Sequence, residues 1–251
     1  GSISWLYYAD RLLEFPLGLF GIGIATVILP SLSGLHAREN KREFSLTIDW
    51  GIKVVSFMGV PALAGLMVLS QPIIMILFMR GEFSEQDVIQ VSFALYAYLS
   101  GLVSFMFIKV LAPGYYARQD TKTPVRIGIK AMAANMLFNL MLAPFLGYVG
   151  LALATTMSAT LNAFWLYQGL KQRDVFVLSS NTLFYILKLV VSALAMGGAI
   201  FYLSPPFNIW VAMEFGQQVT HLLTYITLGV AIYFICIFTL GIRLNDFKVS
   251  K

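Results

Sequence analysis

The chain reads as long apolar runs cut by short polar segments. Phe15 to Leu35 and Val54 to Met79 contain no charged residue, and neither does the 40-residue stretch from Ala131 to Leu170. Runs of about 20 apolar residues are the length a helix needs to cross a bilayer. The pattern predicts seven crossings. Their approximate bounds are Trp5–Leu32, Ile48–Phe78, Val88–Leu111, Ile127–Leu146, Val149–Leu170, Thr182–Leu203 and His221–Ile242. The stretch 131–170 must turn back on itself, since one straight helix of that length would extend roughly 60 Å, about twice the hydrocarbon thickness. Pro144, Gly147 and Gly150 mark the turn. The reading is an all-α integral membrane fold.

Composition agrees. Charged residues make up 12% of the 251 positions and hydrophobic residues 59%, with a mean hydropathy of +0.79. The net charge of +5 does not signal a nucleic-acid partner, because the cations sit in alternate loops and form no basic face. Counted loop by loop, 12 Lys and Arg fall on one side and only Arg80 on the other. Cytoplasmic loops collect Lys and Arg, so the first span enters from the outer face and the C-terminus is cytoplasmic. Cys236 lies alone in an apolar segment, and His36 and His221 have no ligand spacing, so neither a disulfide framework nor a metal site is expected. The sequence contains no phosphate loop, His-Glu-x-x-His or nucleophile elbow, and the reading is not an enzyme. Glu82, Glu85 and Asp87 read as a solvated outer turn. The opening Gly-Ser-Ile-Ser-Trp, without an initiator Met, reads as the C-terminal part of a longer protein.

Four cations lie inside spans. Lys53, Lys109 and Lys188 are near cytoplasmic ends, where a long stem can carry its ammonium to the interface. Asp49 precedes Lys53 by four residues, a favourable helical pair. Arg11 is near the opposite end, where the orientation rule gives it no reason to be. A cation at that depth needs a partner or a wet cavity. Glu14, three residues on, is one partner, but a guanidinium has more donors than one carboxylate occupies and forks onto phosphate. Asp10, Arg11 and Glu14 are therefore the candidate substrate contacts. Asn135 and Asn139 share a face of the fourth span, and Thr155, Thr156, Ser158, Thr160 and Asn162 line the fifth. Such groups either tie helices together or coordinate a small cation; Asn135, Asn139 and Thr155 are the candidate ion ligands. Kinked, glycine-rich spans (Pro16, Pro30, Pro61, Pro72; Gly18, Gly21, Gly23) suit a transporter that rocks around a cavity.

Three segments carry a family resemblance. Ser4-Trp5-Leu6-Tyr7-Tyr8-Ala9-Asp10-Arg11-Leu12-Leu13-Glu14-Phe15-Pro16 resembles the start of the eighth transmembrane helix of MurJ-type (MviN) lipid II flippases. Lys109-Val110-Leu111-Ala112-Pro113-Gly114-Tyr115-Tyr116-Ala117-Arg118-Gln119-Asp120-Thr121-Lys122-Thr123-Pro124-Val125 and Ile28-Leu29-Pro30-Ser31-Leu32-Ser33 are similarly characteristic. The resemblance covers the whole chain and implies helices 8–14 of a fourteen-helix MOP-superfamily fold. Residues 1–175 would then be five second-lobe helices lining a central cavity, and 176–251 the last two helices, which form a lipid-tail groove. It implies a protein of the bacterial cytoplasmic (inner) membrane that moves lipid II, a polyprenyl-pyrophosphate-linked disaccharide peptide, to the outer leaflet by alternating access. Arg11 matches the family's cavity arginine. Membrane lipids and the N-terminal half of the same protein would be its partners. No bound cofactor is implied beyond a coupling cation (Na+ or H+) or the membrane potential. Some members bind sodium between helices seven, eleven and twelve; here spans four and five supply Asn135, Asn139 and Thr155 but no acidic residue. The alternatives are another MOP exporter, carrying a lipid-linked oligosaccharide or a drug, and a non-transporting membrane scaffold.

Overall fold

The structure, a computed structural model, describes residues 1–243. Lys248 and Lys251, counted above with the cytoplasmic tail, lie outside the described residues. The described residues are helical almost throughout, with no strand among them. Six rods are long and apolar enough to cross a membrane. One of them is a hairpin, so the chain makes the seven crossings that the apolar runs predict.

The first rod comprises α1 (Ser2–Pro16), a π-helical stretch Leu17–Ile22 and α2 (Gly23–Ala37). Pro16 has no N–H to continue the α ladder, and the hydrogen-bond register widens just after it. The sequence predicted a kink here but not a π segment. The second rod, α3 (Lys41–Phe78), starts seven residues earlier than hydropathy placed it. Asn40 caps it by accepting from the Glu43 N–H at 3.1 Å, so the polar stretch 41–47 continues the helix out of the apolar layer. The third rod is α4 (Glu85–Leu99) and α5 (Leu102–Tyr116), offset at Ser100-Gly101. There a Cβ on Gly101 would lie 2.6 Å from the Thr156 side chain, and close approach to the next rod requires a glycine.

The fourth rod, α6 (Lys122–Gln172), is the hairpin. Gly147 breaks it with φ 57° and ψ −135°, a conformation that disfavours any side chain. Gly150 then passes so close to the incoming limb that a Cβ would stand 2.6 Å from the Leu142 carbonyl oxygen. Two of the three residues marked as turn formers thus have distinct geometric roles. After it come α7 (Ser180–Leu203), a short helix α8 (Phe207–Ala212) that hydropathy did not reveal, and α9 (Phe215–Thr239).

One apolar cluster joins the first four rods, with Ile28, Ile48, Leu95, Leu102 and Leu166 at its centre. A second joins α3 to α7 and α9 through Leu69, Leu189, Met196 and Tyr233. The long α3 serves both. Tyr115, from the Ala-Pro-Gly-Tyr-Tyr motif, is fully buried and donates to the Leu166 carbonyl at 2.6 Å, which pins α5 to the second limb of α6. Gly169 leaves room for that hydroxyl. Beyond it, Asp120 accepts from the Thr123 hydroxyl, from Arg173 and from the Thr123 backbone N–H, and these donors hold its carboxyl well below the usual carboxylate range. The predicted Asp49–Lys53 pair forms at 3.2 Å, and Asp49 also accepts from the Thr182 hydroxyl at 2.7 Å, tying α3 to the start of α7.

Candidate functional site

The first span has two chemically different faces in its N-terminal half. Ala9, Leu12, Leu13 and Pro16 are buried, and α1 packs on α4. Tyr7, Asp10, Arg11 and Glu14 recur at helical spacing and are all exposed on the other side. The Arg11 guanidinium donates from Nη1 to Glu14 Oε2 at 3.2 Å and stands 5.0 Å from the centre of the Tyr7 ring. Its side chain remains 57% exposed and that of Glu14 55%, so the pair is not sealed. The three predicted contacts therefore lie on one open, polar stripe. Tyr7 completes it. The i, i+4 spacing from Tyr7 to Arg11 was the available signal, and charge counting passed over it.

The N-terminal end of this stripe is held in place by aromatic and polar contacts from the neighbouring rods. Trp5 Nε1 donates to Asp87 Oδ1 at 2.8 Å, and the Trp5 ring lies 5.1 Å from that of Tyr148 at the α6 turn. The Tyr148 hydroxyl is hydrogen-bonded to Gln90. Tyr8 packs against Phe78 and Phe83 at 4.8 and 5.2 Å. Asp87, read from the sequence as part of a solvated turn, caps α4 together with Ser84 and also receives Trp5. Two rings and one carboxylate thus fix the rotation of α1 and hence the direction in which Arg11 points.

The second predicted constellation also assembles. Asn135 Nδ2 lies 3.5 Å from Thr155 Oγ1 and 3.3 Å from Ser158 Oγ, and Asn139 Nδ2 donates to Asn135 Oδ1 at 2.9 Å. The cluster bridges the two limbs of the hairpin. The Asn139 amide donor is turned toward the Asn135 amide oxygen, and the Asn135 donor toward the hydroxyls. Asn139 Oδ1 is buried without a partner among the described residues, where no cluster of His, Cys, Asp and Glu suits a metal ion.

Comparison with known proteins gives these arrangements a context. A family model described as "Lipid II flippase MurJ" matches residues 1–221. The chain is 54% identical over 250 residues to the "Probable lipid II flippase MurJ" of Vibrio cholerae, covering 100% of this chain and 48% of that protein. It is 35% identical over 250 residues to the lipid II flippase MurJ of Burkholderia cenocepacia, with 99% and 48% covered. A solved structure of the lipid II flippase MurJ in an inward closed conformation superposes with a TM-score of 0.79 at 26% identity, over 96% of this chain and 47% of that one. The chain spans about half the length of the curated relatives it matches. With the family model matching most of the chain and relatives matching it end to end, the chain belongs to the MurJ family of lipid II flippases.

Proposed function

We propose that this chain forms one lobe of a flippase for lipid-linked peptidoglycan precursor, and that Arg11 receives the pyrophosphate of the cargo. The observation that carries the reading is the exposure of Arg11, Asp10, Glu14 and Tyr7 on one side of a span whose other side is buried. A polar stripe at that depth is costly against lipid and favourable against a hydrated cavity. The missing wall of the cavity would come from the other lobe. Flipping exposes a charged headgroup to hydrocarbon, and burying that charge without a partner is prohibitive. A guanidinium held by Glu14 and Tyr7 alone keeps donors for a diphosphate, while the polyprenyl tail stays in lipid. Glu14 and Asp10 keep the cation oriented and keep it from holding the anion too tightly for release. The 12-to-1 loop asymmetry supports a cytoplasmic-membrane protein with its C-terminus inside. The Asn135–Asn139–Thr155 cluster supports a packing role, because its donors are spent internally. The orphan oxygen of Asn139 is the one group left to meet a coupling cation or a further helix. Alternating access and a coupling cation or potential belong to the same proposal.

The test uses the complete protein in cells depleted of the native flippase. Arg11→Ala lowers outer-leaflet lipid II by at least about tenfold, the scale of breaking a desolvated charge pair, while membrane insertion and abundance are unchanged. Lys188→Gln, outside the stripe, has little effect. Wild-type flipping by Arg11→Ala removes Arg11 from the mechanism.

A further inference from the structure

The face that carries the Lys- and Arg-rich loops contains a cleft of about 560 Å³. It lies where the ends of α2, α5 and α6 meet the start of α3, far along the chain from the Arg11 stripe. The three helices terminate in the same way. Asn40 and Glu39 N–H groups bond back to Leu35 and His36, Asp120 and Gln119 to Tyr115 and Tyr116, and Val175 and Asp174 to Leu170 and Lys171. In each case the turn residue is left-handed: Glu39 at φ 56°, Gln119 at 59° and Asp174 at 53°. Glycine is the usual occupant of that position. Here two of the three are acidic residues whose side chains line the cleft.

The charges in the cleft do not satisfy one another. Lys41 and Arg118 line it opposite Glu39 and Asp174, yet no ion pair joins them among the described residues. Arg173, the third cation, is already oriented. It donates from Nη1 to Asp120 and from Nη2 to the Thr123 hydroxyl at 3.0 Å, and it lies 5.6 Å from the Tyr115 ring centre. Two of its five N–H donors are used, and the rest remain for a ligand. Leu35 and Phe44 supply an apolar wall.

We propose that this cleft binds a zwitterionic phosphoethanolamine group, with phosphate on Arg118, Lys41 and Arg173 and the ammonium between Glu39 and Asp174. A dianion would face two unpaired carboxylates, and a simple cation would face three basic side chains. A small group carrying both charges satisfies each set. Three ammonium hydrogens match two carboxylates, whereas a trimethylated ammonium offers none. Basic pockets at this membrane face suit lipid headgroups, and the apolar wall suits the glycerol end of one. The inference does not depend on which cargo the protein moves.

The experiment places the complete protein in nanodiscs of phosphatidylethanolamine, phosphatidylglycerol or phosphatidylcholine mixed with a neutral carrier lipid. Lipid retained on release into detergent is counted by native mass spectrometry. One phosphatidylethanolamine is retained about tenfold more firmly than either other lipid, the scale of losing one charged hydrogen bond. Glu39→Gly with Asp174→Gly abolishes the preference without lowering the melting temperature, because glycine suits both turns. Arg118→Gln weakens retention of phosphatidylethanolamine and phosphatidylglycerol alike. Glycerophosphoethanolamine is also titrated onto lipid-free protein; tight binding there with no lipid retained assigns the same chemistry to a soluble ligand. Equal retention of all three lipids, a preference that survives the double glycine variant, or no binding of either lipid or soluble probe overturns the proposal.

Discussion

At the scale of single residues, chemistry and packing divide cleanly along the first span. Arg11 sits one residue from Leu12, yet one is exposed and the other buried, because 100° of helical rotation separates them. The Ala-Pro-Gly-Tyr-Tyr motif, by contrast, packs this chain together. Its Tyr115 is buried and hydrogen-bonded to the Leu166 carbonyl at 2.6 Å. Replacing the hydroxyl by hydrogen leaves the ring in place and removes one bond. Tyr115→Phe therefore destabilises the protein by about 1 kcal/mol, measured as a shift in unfolding by SDS, while flipping persists. Loss of flipping at unchanged stability would instead give Tyr115 a role in transport.

At the scale of elements, the α6 hairpin is the sharpest case. Charge-free length predicted a turn, and Gly147 supplies its left-handed residue. Gly150 does something periodicity does not show. It lets the second limb touch the backbone of the first, with no flexible side chain available to move aside. Gly150→Ala forces the limbs apart at a cost of about 1–3 kcal/mol. The loss appears as a lowered melting temperature. It is accompanied by weakened contact between Asn135 and Ser158, which a cysteine pair placed at those positions reports as slower crosslinking. Unaltered melting and crosslinking would mean that the limbs are not packed as described. The π-helical stretch after Pro16 shows the complementary limit. Proline marks where an α ladder loses a donor, but whether the chain kinks or widens its register depends on what packs beside it. A Cβ added to Gly21, on that stretch, would stand 3.4 Å from the stem of Lys109 on α5.

At the scale of the whole molecule, the loop charges and the fold agree on which ends lie together. Asn40, Arg118 and Asp174 line one cleft although up to 134 positions separate them. All belong to the loops that carry the excess of Lys and Arg. Ser84 belongs to the opposite set. In intact cells Ser84→Cys is labelled by an impermeant thiol reagent, whereas Asn40→Cys is labelled only after permeabilisation, with Cys236 replaced to remove background. The reverse pattern would invert the assigned orientation and move Arg11 toward the cytoplasm. The first limb of α6 leaves an apolar face exposed, including Met132, Met136 and Leu140.

The sequence by itself determined the number of crossings, their order and which loops share a face. These follow from local quantities: the apolar length a bilayer demands and the charge each loop carries. It also singled out Arg11, because one cation at the wrong depth is conspicuous in a chain so poor in charge. Only the tertiary structure decided that Arg11 lies on an open stripe with Tyr7, that Trp5, Asp87 and Tyr148 hold that stripe in register, and that three distant helix ends enclose a cleft of unpaired charges. Those facts depend on helix rotation and on contacts between residues far apart in the chain. A hydropathy pattern averages over both.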